Sequence, residues 1–160
     1  MHLYNGAQTL VRSRVAPKVL VVEDNPDHWV FMQKAMQENF TEVEPVVTTS
    51  AAQTLDYLTT CSNRAEVPPK LILMDLYLPD RKDGWQLLNQ IKKLDPPFDR
   101  IPVVVLSHSN NPQDIAESYR QGINSYLVKP TQYQEWLHCF QVIKEYWWET
   151  VTLPDFPFYQ

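Results

Sequence analysis

The chain has 160 residues, a formal net charge of -5, 44% hydrophobic residues, and only 3 glycines against 13 prolines. That length suits about one domain with a core of its own. Gly6, Gly84 and Gly122 stand too far apart for a Rossmann or P-loop nucleotide site; no Lys/Arg run points to direct nucleic-acid binding, and no run of ~18 apolar residues points to a membrane.

Residues 1–16 read as a flexible polar lead without the charged-then-apolar order of a signal peptide. Residues 18–23, KVLVVE, form a continuous apolar run, the pattern of a strand buried on both faces. Asn25 and Pro26 open a helix as N-cap and first helical residue. Val30, Phe31, Ala35, Met36 and Phe40 follow at helical spacing. Residues 42–49 read as a second strand, which Pro45 places at an edge or bulge. Ser50 caps a helix over 51–60, and 61–69 is a loop. Residues 70–75 are a third strand, 76–83 a loop and 84–94 a helix. A turn over 95–100 leads to a fourth strand at 101–106. Asn111 and Pro112 start a helix that Gly122 closes. Residues 124–128 are a fifth strand, 132–148 a long aromatic helix and 149–160 an irregular tail.

Strict strand–helix alternation predicts an α/β fold, a doubly wound five-stranded parallel sheet with helices on both faces. Ligands in such sheets sit outside the carboxyl ends of the strands. Glu23 and Asp24 follow the first strand, Asp75 ends the third, Ser107 follows the fourth and Lys129 the fifth. Three carboxylates at one rim repel one another unless a cation joins them. Oxygen donors with few protein contributors suit Mg²⁺. A carboxylate can attack phosphorus to give an aspartyl-phosphate, while a metal and a lysine neutralise the oxygens in transfer. Ser107-His108-Ser109 lacks the turn geometry of a serine nucleophile. His2, His28, His108 and His138 have no metal-ligand spacing, and His28 and His138 read as helix-surface residues. Cys61 and Cys139 make no disulfide framework, which points to a reducing cytoplasm.

In this order, Val22-Glu23-Asp24-Asn25, Leu73-Met74-Asp75 with Leu78-Pro79 and Asp83-Gly84, Val105-Leu106-Ser107, and Tyr126-Leu127-Val128-Lys129-Pro130 resemble the receiver domain of two-component response regulators. The resemblance covers residues 17–148 and implies the flavodoxin-like strand order 2-1-3-4-5. It implies that Asp75 is the phosphoacceptor. It assigns Mg²⁺ to Glu23, Asp24, Asp75 and the backbone carbonyl of Tyr77. It pairs Lys129 with the phosphoryl group, across a cis Lys129–Pro130 peptide, and makes Ser107 and Tyr126 a switch pair. The partner implied is a sensor histidine kinase. The chain would be a signalling module that assists only its own phosphorylation and dephosphorylation, not an enzyme.

The run 146–154, YWWETVTLP, and the long loop before the third strand resemble single-domain regulators that accompany cyanobacterial phytochrome histidine kinases. That likeness implies a phytochrome kinase as partner. It also implies a homodimer through the fourth helix, fifth strand and fifth helix, with the tail 149–160. Three features depart from the family pattern. Glu23 replaces the commoner aspartate. The loop after Asp75 is one residue longer, placing Arg81 and Lys82 toward the site or solvent. His108 stands where a small residue is usual and is expected to screen Asp75.

Nine aromatic residues crowd the stretch 133–159. Trp136, Phe140, Ile143 and Trp147 fit one buried helix face. Trp148, Phe156, Phe158 and Tyr159 exceed that face and read as an interface. A pseudo-receiver, docking without phosphorylation, is the alternative reading, prompted by Glu23 and His108. The set of Asp75, Asp24, Ser107 and Lys129 favours the phosphoacceptor. A flavin carrier would need a glycine- and hydroxyl-rich loop where Glu23-Asp24-Asn25-Pro26 stands.

Overall fold

The computed structural model describes residues 16–153. Residues 1–15 of the expected lead and 154–160 of the expected tail, with Phe156, Phe158 and Tyr159, lie outside the described residues. Among the described residues, β1 (Lys18–Val22), β2 (Glu44–Thr48), β3 (Leu71–Met74), β4 (Val103–Ser107) and β5 (Ser125–Val128) form one parallel sheet. Its order is β2-β1-β3-β4-β5, as expected. The apolar runs take the inner places, and β2 with Pro45 takes an edge, where a missing amide donor is tolerated.

Side chains alternate across the sheet with a period of two. Leu20, Val22, Ile72, Met74, Val103 and Val105 enter one core with Leu58 of α2 (Ala51–Asn63) and Leu87, Leu88 and Ile91 of α3 (Arg81–Lys92). Val19, Val21, Leu71, Leu73, Val104 and Leu106 enter the other. There they meet Met32, Ala35 and Met36 of α1 (Pro26–Asn39) and Trp136, Phe140 and Ile143 of α5 (Tyr133–Lys144). Burying each large side chain stabilises the fold by about 1.5–3 kcal/mol. By contrast, α4 (Pro112–Arg120) has only polar residues, Asp114 and Ser118, fully buried.

The structure corrects several expectations. Val30 and Phe31 are exposed, because Met32, Ala35 and Met36 form the inward stripe of α1. Helix α2 extends three residues beyond the expected end, to Asn63. Helix α3 begins at Arg81 rather than Gly84, because Asp83 accepts the Asp80 amide at 3.0 Å and caps an earlier turn. Gly84 is therefore helical, and its reason is proximity: a Cβ there would lie 1.9 Å from the Leu76 carbonyl oxygen. Gly122 ends α4 with φ +99, as expected of a C-terminal glycine.

The expected long last helix changes form at Lys144. A π-helical turn, Glu145–Thr150, follows. Trp147 is buried as expected. Trp148 was expected to exceed the buried face. It instead packs edge-on against Phe40 at 5.1 Å and under the Lys70 ammonium at 5.9 Å. The wider turn lets two adjacent tryptophans both reach the α1 side of the molecule.

Gly84→Ala should destabilise the fold by about 2 kcal/mol or more, since backbone must move. Gly122→Ala should cost about 1–2 kcal/mol for its left-handed conformation. Chemical denaturation of both variants checks the order; a Gly84→Ala as stable as wild type would contradict the close approach.

Candidate functional site

The sheet hydrogen bonds run on past the strands and fix the rim residues. The Glu23 amide donates to the Thr48 carbonyl at 3.0 Å, the Asp75 amide to Val22 at 2.9 Å, and the Lys129 amide to Ser107 at 2.8 Å. Lys129, 4% exposed, turns its ammonium inward. It donates to Glu23 Oε2 at 2.6 Å, to Asp75 Oδ2 at 2.8 Å and to His28 Nδ1 at 3.1 Å. Those three acceptors occupy its three protons.

Glu23 is 2% and Asp75 8% exposed, while Asp24 is open to solvent. One carboxylate oxygen from each of Glu23, Asp24 and Asp75 lies within 4.8 Å of the others. Burial pushes the Glu23 carboxyl above its ordinary range, and the Asp75 charge adds to this; Lys129 opposes both. Hard oxygen donors at this spacing, two of them buried, fit a small divalent cation that keeps several waters. The Tyr77 amide donates to Asp75 Oδ1 at 3.1 Å, so the loop carrying the Tyr77 carbonyl is tied to the same carboxylate.

Ser107 is fully buried beside the site, and its Oγ accepts the Ser109 amide at 3.2 Å. The structure thus brings Glu23, Asp24, Asp75, Ser107 and Lys129 to one rim. The part-buried Tyr126 side chain packs against the core, and its hydroxyl donates to the Ser109 carbonyl at 2.7 Å. The Lys129–Pro130 peptide, expected cis, is trans; the cis bonds among the described residues are Leu78–Pro79 and Pro96–Pro97. The X-Pro preference is only about 0.5–1 kcal/mol, so surroundings decide the isomer.

His28, expected on the helix surface, belongs to the site. The cap formed by Asn25, whose side chain accepts from the Asp27 and His28 amides, sets His28 over the end of β1. An ammonium only donates, so His28 Nδ1 accepts from Lys129, while its Nε2 faces the Asn25 side-chain amide at 3.4 Å. The same His28 Nε2 stands 3.2 Å from His108 Nε2, with the rings edge to face at 4.8 Å. Burial first, then the Lys129 charge, lowers the pKa of both rings; His28 also lowers that of His108. Only the capping signal at Asn25-Pro26 hinted at His28. Of the two loop cations, Lys82 faces solvent, and Arg81 pairs with Asp114 at 2.8 Å. Asp114 also accepts from the Ser109 and Tyr77 hydroxyls.

A family model described as the response regulator receiver domain matches residues 19–141. The chain is 36% identical over 140 residues to response regulator Rcp1 of Synechocystis sp., covering 86% of this chain and 94% of that protein. The crystal structure of the Mn²⁺-bound form of Rcp1 aligns with a TM-score of 0.74 at 34% identity, over 87% of this chain and 99% of that one. The structure of the phosphorylated cyanobacterial phytochrome response regulator RcpA aligns at 0.75 with 36% identity, over 88% and 100%. A probable methanogenesis regulatory protein, FilR2 of Methanothrix harundinacea, is 37% identical over 131 residues, 81% of this chain and 82% of that protein.

The Ser109 hydroxyl, then those of Tyr77 and the Arg81 guanidinium, hold the Asp114 carboxyl below its ordinary 3.8. The stability this contributes is complete above that value and is lost as pH falls through the lower folded value. The stability difference between wild type and Asp114→Asn should therefore shrink below about pH 3.8. Denaturation at a series of acid pH values checks this; a difference independent of pH would contradict it.

Proposed function

The chain belongs to the response regulator receiver domain family, and from that premise we propose that it accepts a phosphoryl group from a sensor histidine kinase onto Asp75. The observation that carries the reading is the buried Asp75–Lys129 contact at 2.8 Å, with Glu23 and Asp24 converging on the same point. An Asp75 oxygen attacks phosphorus as the N–P bond of the donor phosphohistidine breaks, and the electron pair returns to the imidazole. Glu23, Asp24, Asp75 and the Tyr77 carbonyl are the residues proposed to hold Mg²⁺. The metal supplies charge neutralisation for the phosphoryl oxygens. Lys129 already stands against Asp75 and turns to those oxygens; Ser107 donates its hydroxyl proton to one of them. Tyr126 lies inward, completing the switch pair. This full set speaks against a pseudo-receiver.

The chain is related to regulators of phytochrome signalling, and a phytochrome-type kinase is the partner we propose. We assign the receiver body to 17–148, supported by a match that spans nearly all of Rcp1. Tyr119, Val128, Val142 and Tyr146 are exposed on α4, β5, α5 and the π-helical turn. That surface supports homodimerisation through α4–β5–α5, with the tail 149–160 as a further contact. Among the described residues no helix is long and apolar enough to cross a membrane. Two free cysteines fit the reducing cytoplasm as its setting.

A phosphorylated histidine kinase plus Mg²⁺ should label the wild-type chain, and Asp75→Asn should abolish the label. Labelling that survives Asp75→Asn would overturn the assignment. Acetyl phosphate should label wild type slowly, because the His28–His108 pair adjoins Lys129. His108→Ala should be labelled several-fold faster, in line with the modest barriers that access imposes; no acceleration would remove His108 from that role.

A further inference from the structure

Helix α4 is joined to the site by polar side chains. Its fully buried residues are Asp114, 1% exposed, and Ser118, 0%. Ser118 accepts the Trp85 indole N–H at 3.1 Å and donates to the Asp114 carbonyl at 2.7 Å. The Asp114 carboxylate leaves its own helix. The cap there is filled by Asn111, which accepts the Gln113 amide at 2.9 Å. Asp114 Oδ2 instead accepts the Tyr77 hydroxyl at 2.7 Å and the Ser109 hydroxyl at 2.6 Å, while Oδ1 accepts Arg81 at 2.8 Å. One buried charge thus holds the loop after β3, the first residue of α3 and the loop after β4.

Two of these arms, through Tyr77 and Ser109, continue to the phosphoacceptor site. The Tyr77 amide is bound to Asp75, and the Tyr77 carbonyl is a proposed metal ligand. The Ser109 amide donates to Ser107 Oγ, which leaves the Ser107 proton free for an incoming oxygen. The Ser109 carbonyl receives Tyr126. With Ser109 held in place, Ser107 and Tyr126 are both set for an occupied site.

We propose that Asp114 is a positioning residue that couples occupancy of Asp75 to the placement of α4. The inference rests on the phosphoacceptor reading. Because coupling is reciprocal, loss of the clamp weakens binding at Asp75, and binding at Asp75 steadies α4. Three hydrogen bonds to a charged group justify an effect of about 10-fold.

The test uses Mg²⁺ with beryllofluoride, a phosphoryl mimic, on the full chain. Affinity is read by titration, and amide hydrogen exchange is read over residues 112–120. Wild type should bind and gain protection in α4. Asp114→Asn should bind ~10-fold more weakly and gain little α4 protection. The double variant with Tyr126→Phe should bind no more weakly than Asp114→Asn alone, since both act through Ser109. Ser109→Ala and Tyr77→Phe, each removing one arm, should shift affinity in the same direction, and they carry the test if Asp114→Asn does not fold. Affinity within two-fold of wild type with unchanged α4 protection, or purely additive losses in the double variant, overturns the coupling. A folded wild type that does not take beryllofluoride overturns the phosphoacceptor reading, and this inference with it.

Discussion

The Lys129 ammonium, held between Glu23 and Asp75, is the contact on which the rest of the site depends. A buried charge is expensive unless it is paired and its protons are taken up. Here two carboxylates and one imidazole nitrogen do this. The cluster binds the ends of β1, β3 and β5, with Glu23 and Lys129 separated by 106 residues in sequence. The same arrangement keeps two like charges close together under low solvent exposure. Burial, with the Asp75 charge adding to it, raises the Glu23 carboxyl against the pull of Lys129, and a divalent cation would offset both costs.

The two faces of the sheet are unequal in how they hold their helices. Helices α1 and α5 share an apolar core with large aromatic residues, and the π-helical turn adds Trp147 and Trp148 to it. Apolar packing of this kind is dense and resists small displacements. Helix α4 has no comparable anchor. It depends on Asp114 and Ser118, whose hydrogen bonds are directional and can be exchanged for others. Elements that move in response to a ligand are drawn from such low-stability parts of a fold. The exposed Tyr119 and Val128 lie on this more adjustable side. Asp75 is linked to α4 through Tyr77 and Asp114.

The histidine pair shows how a local cap can have a distant consequence. Asn25 and Pro26 fix where α1 begins, and this alone sets His28 above the end of β1. The contact with His108 then closes a path from α1 to the loop after β4. Neutral rings fit this place, since a second cation beside Lys129 would be repelled.

Much of this was legible in the sequence. Apolar runs of four to six residues, alternating with helical periods, determine a parallel sheet, because both faces of each inner strand must be covered. The strand ends then mark Glu23, Asp24, Asp75, Ser107 and Lys129 without any coordinates, since side chains at that rim face one crevice. Pro45 marks an edge and Gly122 a helix end for backbone reasons that are local. Most of the places where reading failed are questions of partner choice; the isomer of the Lys129–Pro130 peptide is not. Val30 and Phe31 have the same periodicity as the buried residues of α1, and only packing against α5 selects the inward stripe. The start of α3 turns on whether Asp83 caps Asp80, and the need for glycine at 84 arises from the Leu76 carbonyl. His28 and Asp114 carry no motif. Each became part of the site through a hydrogen bond that spans tens of residues, from Lys129 to His28 and from Tyr77 to Asp114. Composition and periodicity act along the chain, whereas a buried polar group takes whichever partner the finished fold brings within 3 Å, and only tertiary structure decides that.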